Sequence, residues 1–201
     1  MLLIDVNGVA IDARINRSRS SNIERDGMKI VHGIIVHQTG GATSQSALDS
    51  YKKPSATGAH FLIDRAGTIY QTASLYKQTW HTGRLKARCL LEKRCTPVEL
   101  NMLRRFNPGK ENQREMKKQV PDRFPSNQDS IGIELVGEAL PRGNSVPDSK
   151  KIYQAVTDAQ NASLKWLISE LTVTLKVPMS EIFRHPDISR KNPTEANTAK
   201  W

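Results

Sequence analysis

Val31-His32-Gly33-Ile34-Ile35-Val36-His37-Gln38-Thr39-Gly40-Gly41 is the stretch on which the fold turns. Its β-branched run has the length and composition of a buried strand, and the Gly40-Gly41 pair supplies the turn that ends it. His37 therefore stands where a strand gives way to a loop. Immediately downstream, Ser44 reads as the N-cap of a helix running to about Lys52 and stopped by Pro54. Ala59–Asp64 and Thr68–Gln71 then flank Arg65-Ala66-Gly67, whose glycine suits a hairpin turn.

Farther out, Ser130-Ile131-Gly132-Ile133-Glu134-Leu135-Val136 predicts another sheet strand, with Gly132 small enough for a neighbour to approach closely. From about Ser149 to Leu175, apolar residues recur at helical spacing, and Pro178 closes the segment. The tail from Arg184 to Trp201 is polar and proline-punctuated, so its order must come from docking or ligation. Residues 1–29 read as an N-terminal arm or a pair of short strands. Residues 84–125 stand apart: twelve Lys and Arg face five Asp and Glu there, as in a partly helical insertion leaving the core.

The chain's 201 residues suit one domain with a genuine core, and no apolar run approaches the length of a membrane-spanning helix. The expected fold class is α/β: a single domain from residue 30 to 201, carrying the basic insertion 84–125. The first residues, with an acid at Asp5 and no basic leader, do not read as a secretory signal. A net charge of +10 predicts a polyanionic partner. Nucleic acid is the common choice, but aromatics are 5% of the chain and no nucleic-acid-binding motif accompanies the charge, so that class is set aside as the rival reading. Cys89 and Cys95 lack metal-site spacing; they could pair in an oxidising compartment and would stay thiols in a reducing one.

Of the five histidines, His37, His81 in Trp80-His81-Thr82-Gly83, and His185 in Arg184-His185-Pro186-Asp187 fall where strand ends meet loops. A catalytic zinc site needs three protein ligands and an open position, which two of these histidines and one carboxylate would satisfy. Glu134, an acid within an apolar run, is either an exposed position on a half-solvated strand or a general base.

The ordered segments Ile34–Thr39, Gly58–Ile69, Thr79–Gly83, Ser130–Glu134 and His185–Ser189 resemble the successive motifs of the type 2 N-acetylmuramoyl-L-alanine amidases. Five motifs in order make a specific match. The resemblance implies a mixed central β-sheet flanked by helices, with Zn2+ at the bottom of a groove that takes bacterial peptidoglycan. It implies His37 and His185 as zinc ligands, Glu134 as the catalytic base, and His60, His81 and Trp80 as substrate-binding groove residues.

The third ligand departs from the family pattern, which places a Cys or Asp about eight to ten residues after the second histidine. Glu195, ten residues beyond His185, is the strong oxygen ligand of that loop, with Asp187 as fallback. Lys191 resembles a lysine that helps hold the oxyanion, although it precedes Glu195 by four residues rather than the family's two.

The expected reaction is zinc-dependent hydrolysis of the amide between N-acetylmuramic acid and L-alanine. The alternative within the fold is a non-catalytic peptidoglycan-recognition domain. Without a leader, the chain is expected to be made in the cytoplasm and to act in the periplasm of a target cell, as an exported antibacterial effector or lysin. Secretion machinery and an immunity protein would be its partners; the cytosolic alternative is a muropeptide-recycling enzyme.

Overall fold

A computed structural model of the chain describes residues 1–143 and 146–201. Short N-terminal strands β1 (Leu3–Ile4), β2 (Ala10–Ile11), β3 (Ile15–Arg17) and β4 (Glu24–Gly27) lead into β5 (Gly33–Gly40). Helix α1 (Ser44–Tyr51) follows, then β6 (Phe61–Ile63), β7 (Ile69–Gln71) and β8 (Lys77–Thr79). The basic segment contributes α2 (Arg88–Leu91), α3 (Pro97–Leu103) and α4 (Pro108–Glu115). The chain returns through β9 (Ser130–Leu140) and β10 (Ile152–Tyr153), then runs through α5 (Asp158–Leu175), β11 (Ile182–Arg184) and α6 (His185–Ile188).

The central sheet is mixed, in the order β11-β5-β9-β6-β7-β3, with β10 paired to β9. β11, β5, β9 and β6 run parallel, and β6 and β7 form the antiparallel hairpin expected around Arg65-Ala66-Gly67. Both faces are covered, which is why the parallel strands are largely apolar up to the ends that carry His37 and Glu134. Ile34, Val36, Ile131, Ile133, Leu135, Phe61 and Ile63 face α5 and pack with Leu164, Leu167, Ile168 and Leu171 in the main core. The alternate residues point to the opposite side, where Ile35 packs with Leu85, Phe124 and Ile188, and Leu62 with Ala47 and Val136. Each fully buried Ile, Leu or Phe contributes about 1.5–3 kcal/mol of transfer free energy.

Two expectations shift at helix boundaries. The helix expected from Ser149 begins at Asp158, because Thr157 and Gln160 form a capping box there; Ile152 and Tyr153 pair with Leu140 and Ala139 instead. Thr43, rather than Ser44, caps α1 through a bond from the Ser46 amide. Leu2, Ala10, Ile15 and Met28 from residues 1–29 sit in the main core.

The tail is ordered by docking. Ala196 and Ala199 are buried, Arg184 donates to both of their carbonyls (3.0 and 2.7 Å), and its guanidinium stacks on Trp201. Ala196 takes a left-handed φ of 53°, which costs an L-residue roughly 1–2 kcal/mol, and these contacts hold it there.

Candidate active site

Three parallel strands bring the chemistry together at their carboxyl ends, where open α/β sheets build their sites. His37 on β5 stands directly opposite Glu134 on β9 in the parallel register, and both point away from the main core. β11 pairs with β5 on the other side, so His185, its next residue, falls beside His37 with ring centroids 4.2 Å apart. Glu195 comes from the docked tail: the Ala196 amide donates to Gln38 Oε1 (3.1 Å), anchoring the tail to the residue after His37.

His37, His185 and Glu195 are all buried, and each offers a ligand atom within 4.8 Å of the others. Glu195 Oε1 lies 2.9 Å from His185 Nδ1 and 3.6 Å from His37 Nδ1. His185 Nε2 is 3.0 Å from the Thr82 carbonyl, which can only accept, so Nε2 carries the proton. His185 Nδ1 then faces the Glu195 carboxylate across 2.9 Å, where a proton on that nitrogen or a metal cation between the two groups satisfies both. The donor set fits zinc: two imidazoles and a carboxylate.

Burial opposes ionisation of Glu195, but the imidazoles of His185 and His37 beside it outweigh burial and hold the carboxyl at about 2. His37 is pushed down to about 4 by burial and by the neighbouring His185, so it is neutral at neutral pH, as a ligand must be. Asp187 plays no part in the cluster. Its Oδ2 accepts from the Arg184 amide at the start of α6, which removes it as a third ligand.

Glu134 faces the same groove, and burial raises its pKa while a hydrogen bond from Tyr51 Oη partly counters the rise. Tyr51, at the end of α1, is buried and is itself pushed well up by burial and by Glu134. Sequence reasoning missed it: nothing in α1 beyond its capping marks Tyr51 as special.

The groove has a volume of about 600 Å³, and Trp80, His81 and Lys191 line it with the zinc-type cluster and Glu134. Trp80 is half exposed at its rim, stacked under the Arg25 guanidinium at 4.3 Å. Lys191 is exposed and has no ion pair among the described residues.

His60 is a correction. It is fully enclosed, with Nε2 bonded to the Lys77 carbonyl (2.9 Å) and Nδ1 accepting from the Gly132 amide (3.0 Å), so it knits the sheet and cannot reach substrate. Burial holds it at about 4. His81 does line the groove, but both of its ring nitrogens are engaged, Nδ1 by His37 (2.9 Å) and Nε2 by Ser130 (3.3 Å). The close approach expected at Gly132 is His81 itself: a Cβ there would lie 2.8 Å from its Nδ1.

Comparison with known proteins agrees with this architecture. Residues 26–197 match the family model described as N-acetylmuramoyl-L-alanine amidase. Among solved structures, a selenomethionine derivative of AmpD is 19% identical with a TM-score of 0.57, the alignment covering 96% of this chain and 94% of that one. The endolysin N-acetylmuramoyl-L-alanine amidase LysCS from Clostridium intestinale is 16% identical, with a TM-score of 0.50 over 89% of this chain and 85% of its own. AMPDH3 from Pseudomonas aeruginosa is 20% identical at a TM-score of 0.51, over 94% of this chain and 58% of its own. At such identities these structures speak for the fold alone. No curated protein matches the chain by sequence.

Proposed function

The chain belongs to the N-acetylmuramoyl-L-alanine amidase family, and from that premise we propose that it hydrolyses the amide between N-acetylmuramic acid and L-alanine in bacterial peptidoglycan with zinc held by His37, His185 and Glu195. The observation that carries this reading is the convergence of three buried ligand atoms within 4.8 Å in a groove that Glu134 also faces. Zinc at such a site supplies Lewis acidity, polarising the scissile carbonyl and making water more acidic.

The protein's own groups do the rest. Glu134, with its pKa raised by burial and its carboxylate oriented by Tyr51, takes a proton from the attacking water. It returns that proton to the departing alanine nitrogen as the C–N bond breaks. Lys191, at the groove wall, offers positive charge where the carbonyl oxygen becomes an oxyanion. Trp80 offers an apolar face to the substrate at the rim.

The protein acts, on this reading, in the periplasm of a target cell as an exported antibacterial effector or lysin, with an immunity protein and secretion machinery as partners. The Cys89–Cys95 disulfide supports this placement, since such bridges persist in oxidising compartments.

Mass spectrometry of purified peptidoglycan digested by the wild type and by Glu134→Ala, with zinc assayed in the same samples, tests the proposal. Stem peptides beginning with L-alanine, released by zinc-loaded wild type and not by the variant, are expected. Intact peptidoglycan after digestion by zinc-loaded wild type would overturn it.

A further inference from the structure

We propose that the Trp80–Gly83 turn is a clamp that sets the tautomers of both candidate zinc histidines, and that Asn127 is the positioning residue holding the clamp shut. The inference rests on the zinc reading of His37, His185 and Glu195, and extends it to residues outside that ligand set.

Both histidines spend their distal nitrogen on this one turn: His185 Nε2 on the Thr82 carbonyl (3.0 Å) and His37 Nε2 on His81 Nδ1 (2.9 Å). The direction of the second bond follows from the chain of partners behind it. Ser130 Oγ donates its hydrogen to the Ser126 carbonyl (2.6 Å), so it must accept from His81 Nε2 (3.3 Å). His81 Nδ1 is then bare and accepts from His37 Nε2, which leaves His37 Nδ1 bare on the side of Glu195. A backbone carbonyl thus dictates, through Ser130 and His81, which nitrogen of His37 can bind metal. In both histidines the turn engages Nε2, so Nδ1 is the nitrogen that faces the carboxylate.

Asn127 holds the turn in place. Its Oδ1 accepts from the His81 amide (2.9 Å), the Thr82 amide (2.8 Å) and the Thr82 hydroxyl (3.0 Å). The segment that presents Asn127 is itself rigid, because buried Asp129 accepts from the Ser126 amide (2.8 Å) and from Arg123 Nη2 (2.7 Å). The basic insertion leaves the core just after the clamp and returns at Asn127, so its neck and the support of the metal site are the same structure. Removing such outer supports typically weakens metal binding about 10–100-fold.

The test is the zinc dissociation constant of the full chain, measured by competition with a chromophoric chelator, alongside the urea midpoint of the metal-free protein. Asn127→Ala is expected to bind zinc about 10–100-fold more weakly, while Asn127→Asp, which keeps an acceptor oxygen, stays within about threefold of wild type. Should Asn127→Ala not fold, Thr82→Val removes the hydroxyl bond alone and is expected to weaken zinc severalfold. Histidine-selective nitrogen NMR of the zinc-loaded protein should show both His37 and His185 protonated at Nε2. Wild-type affinity in Asn127→Ala and Thr82→Val, an equal loss in Asn127→Ala and Asn127→Asp, or protonation at Nδ1 would overturn the clamp and leave the zinc reading standing. A wild type that binds no zinc, or binds it equally well as Glu195→Ala, overturns both.

Discussion

The neck of the basic insertion and its tip are held in opposite ways. At the neck, Asn127, Asp129, Ser130 and the Trp80–Gly83 turn share short hydrogen bonds against the metal-type cluster. At the tip, α3 buries none of its side chains; Val98, Leu100 and Met102 are exposed, and Phe106 beyond it is 78% accessible. The tip is attached instead by the Cys89–Cys95 bridge and by partly exposed ion pairs, Lys118–Glu99 and Arg94–Asp122. Hydrolysis needs groups fixed to fractions of an ångström, whereas a surface appendage tolerates loose attachment. The difference locates rigidity where the chemistry is.

The sharpest way to break that contrast is at the cluster. Glu195→Ala leaves two ligands; bound zinc should be lost and peptidoglycan hydrolysis should fall by about three orders of magnitude, at the upper end of what removing a transition-state contact does. Full zinc occupancy in that variant would remove Glu195 from the site.

Acid probes the same buried end. His60 and His37 are held near 4 against an ordinary 6.5, so between those values the unfolded chain takes up protons that the folded chain refuses. Stability of the metal-free protein should fall as pH drops through that window, by about 3 kcal/mol per histidine at its lower end. Glu195, held at about 2, acts in a lower window: its contribution is present above 4.5 and is lost as pH falls toward 2. Urea midpoints at pH 7 and 4.5 test this, and equal midpoints would contradict it.

Opening the bridge probes the tip. For a sequence separation of six, the loop-entropy estimate makes the loss in Cys89→Ser/Cys95→Ser about 2 kcal/mol. Hydrogen exchange should quicken across residues 88–118 while amides at 80–83 and 126–134 stay protected. A tenfold loss of zinc affinity in that variant would erase the distinction between neck and tip.

Tyr51→Phe removes the donor to Glu134 without changing the core volume much, and activity should fall about tenfold, within the range of one charge-assisted hydrogen bond. Because that bond lowers the Glu134 pKa, the acid limb of the pH–rate profile should also move to higher pH. The smallest effect belongs to the tip: Asp122→Ala breaks an exposed pair with Arg94, should cost under about 0.5 kcal/mol in urea melts, and should leave hydrolysis unchanged.

The elements that were legible in the sequence are those written in local pattern. The β-branched runs at 31–37 and 130–136 form strands, the first beginning at Gly33 and both continuing past the run, to Gly40 and Leu140; the glycine-centred hairpin and the long helix also form, with the start of α5 moved to its capping box. His37, His185 and Glu195 could be proposed together only through the order of motifs, and the three do converge. Tyr51, Thr82, Asn127 and Ser130 were not visible as site residues. Each acts through a bond spanning tens of residues of chain, and no local signal distinguishes them from caps, turns and strand polar groups. Asn127 had one weak sign, its place just before an apolar strand in a polar turn.

By itself, then, the sequence determined which segments become strands and helices, that one domain forms, and that five motifs stand in the order of an amidase, because periodicity, capping and turn chemistry act over a few residues. The tertiary structure alone decided that His37 stands opposite Glu134, that Glu195 rather than Asp187 completes the cluster, and that His60 is sealed into the sheet while His81 backs His37. Those outcomes depend on strand register and on which lone pair meets which proton across distant segments, and such distances exist only once the chain has packed.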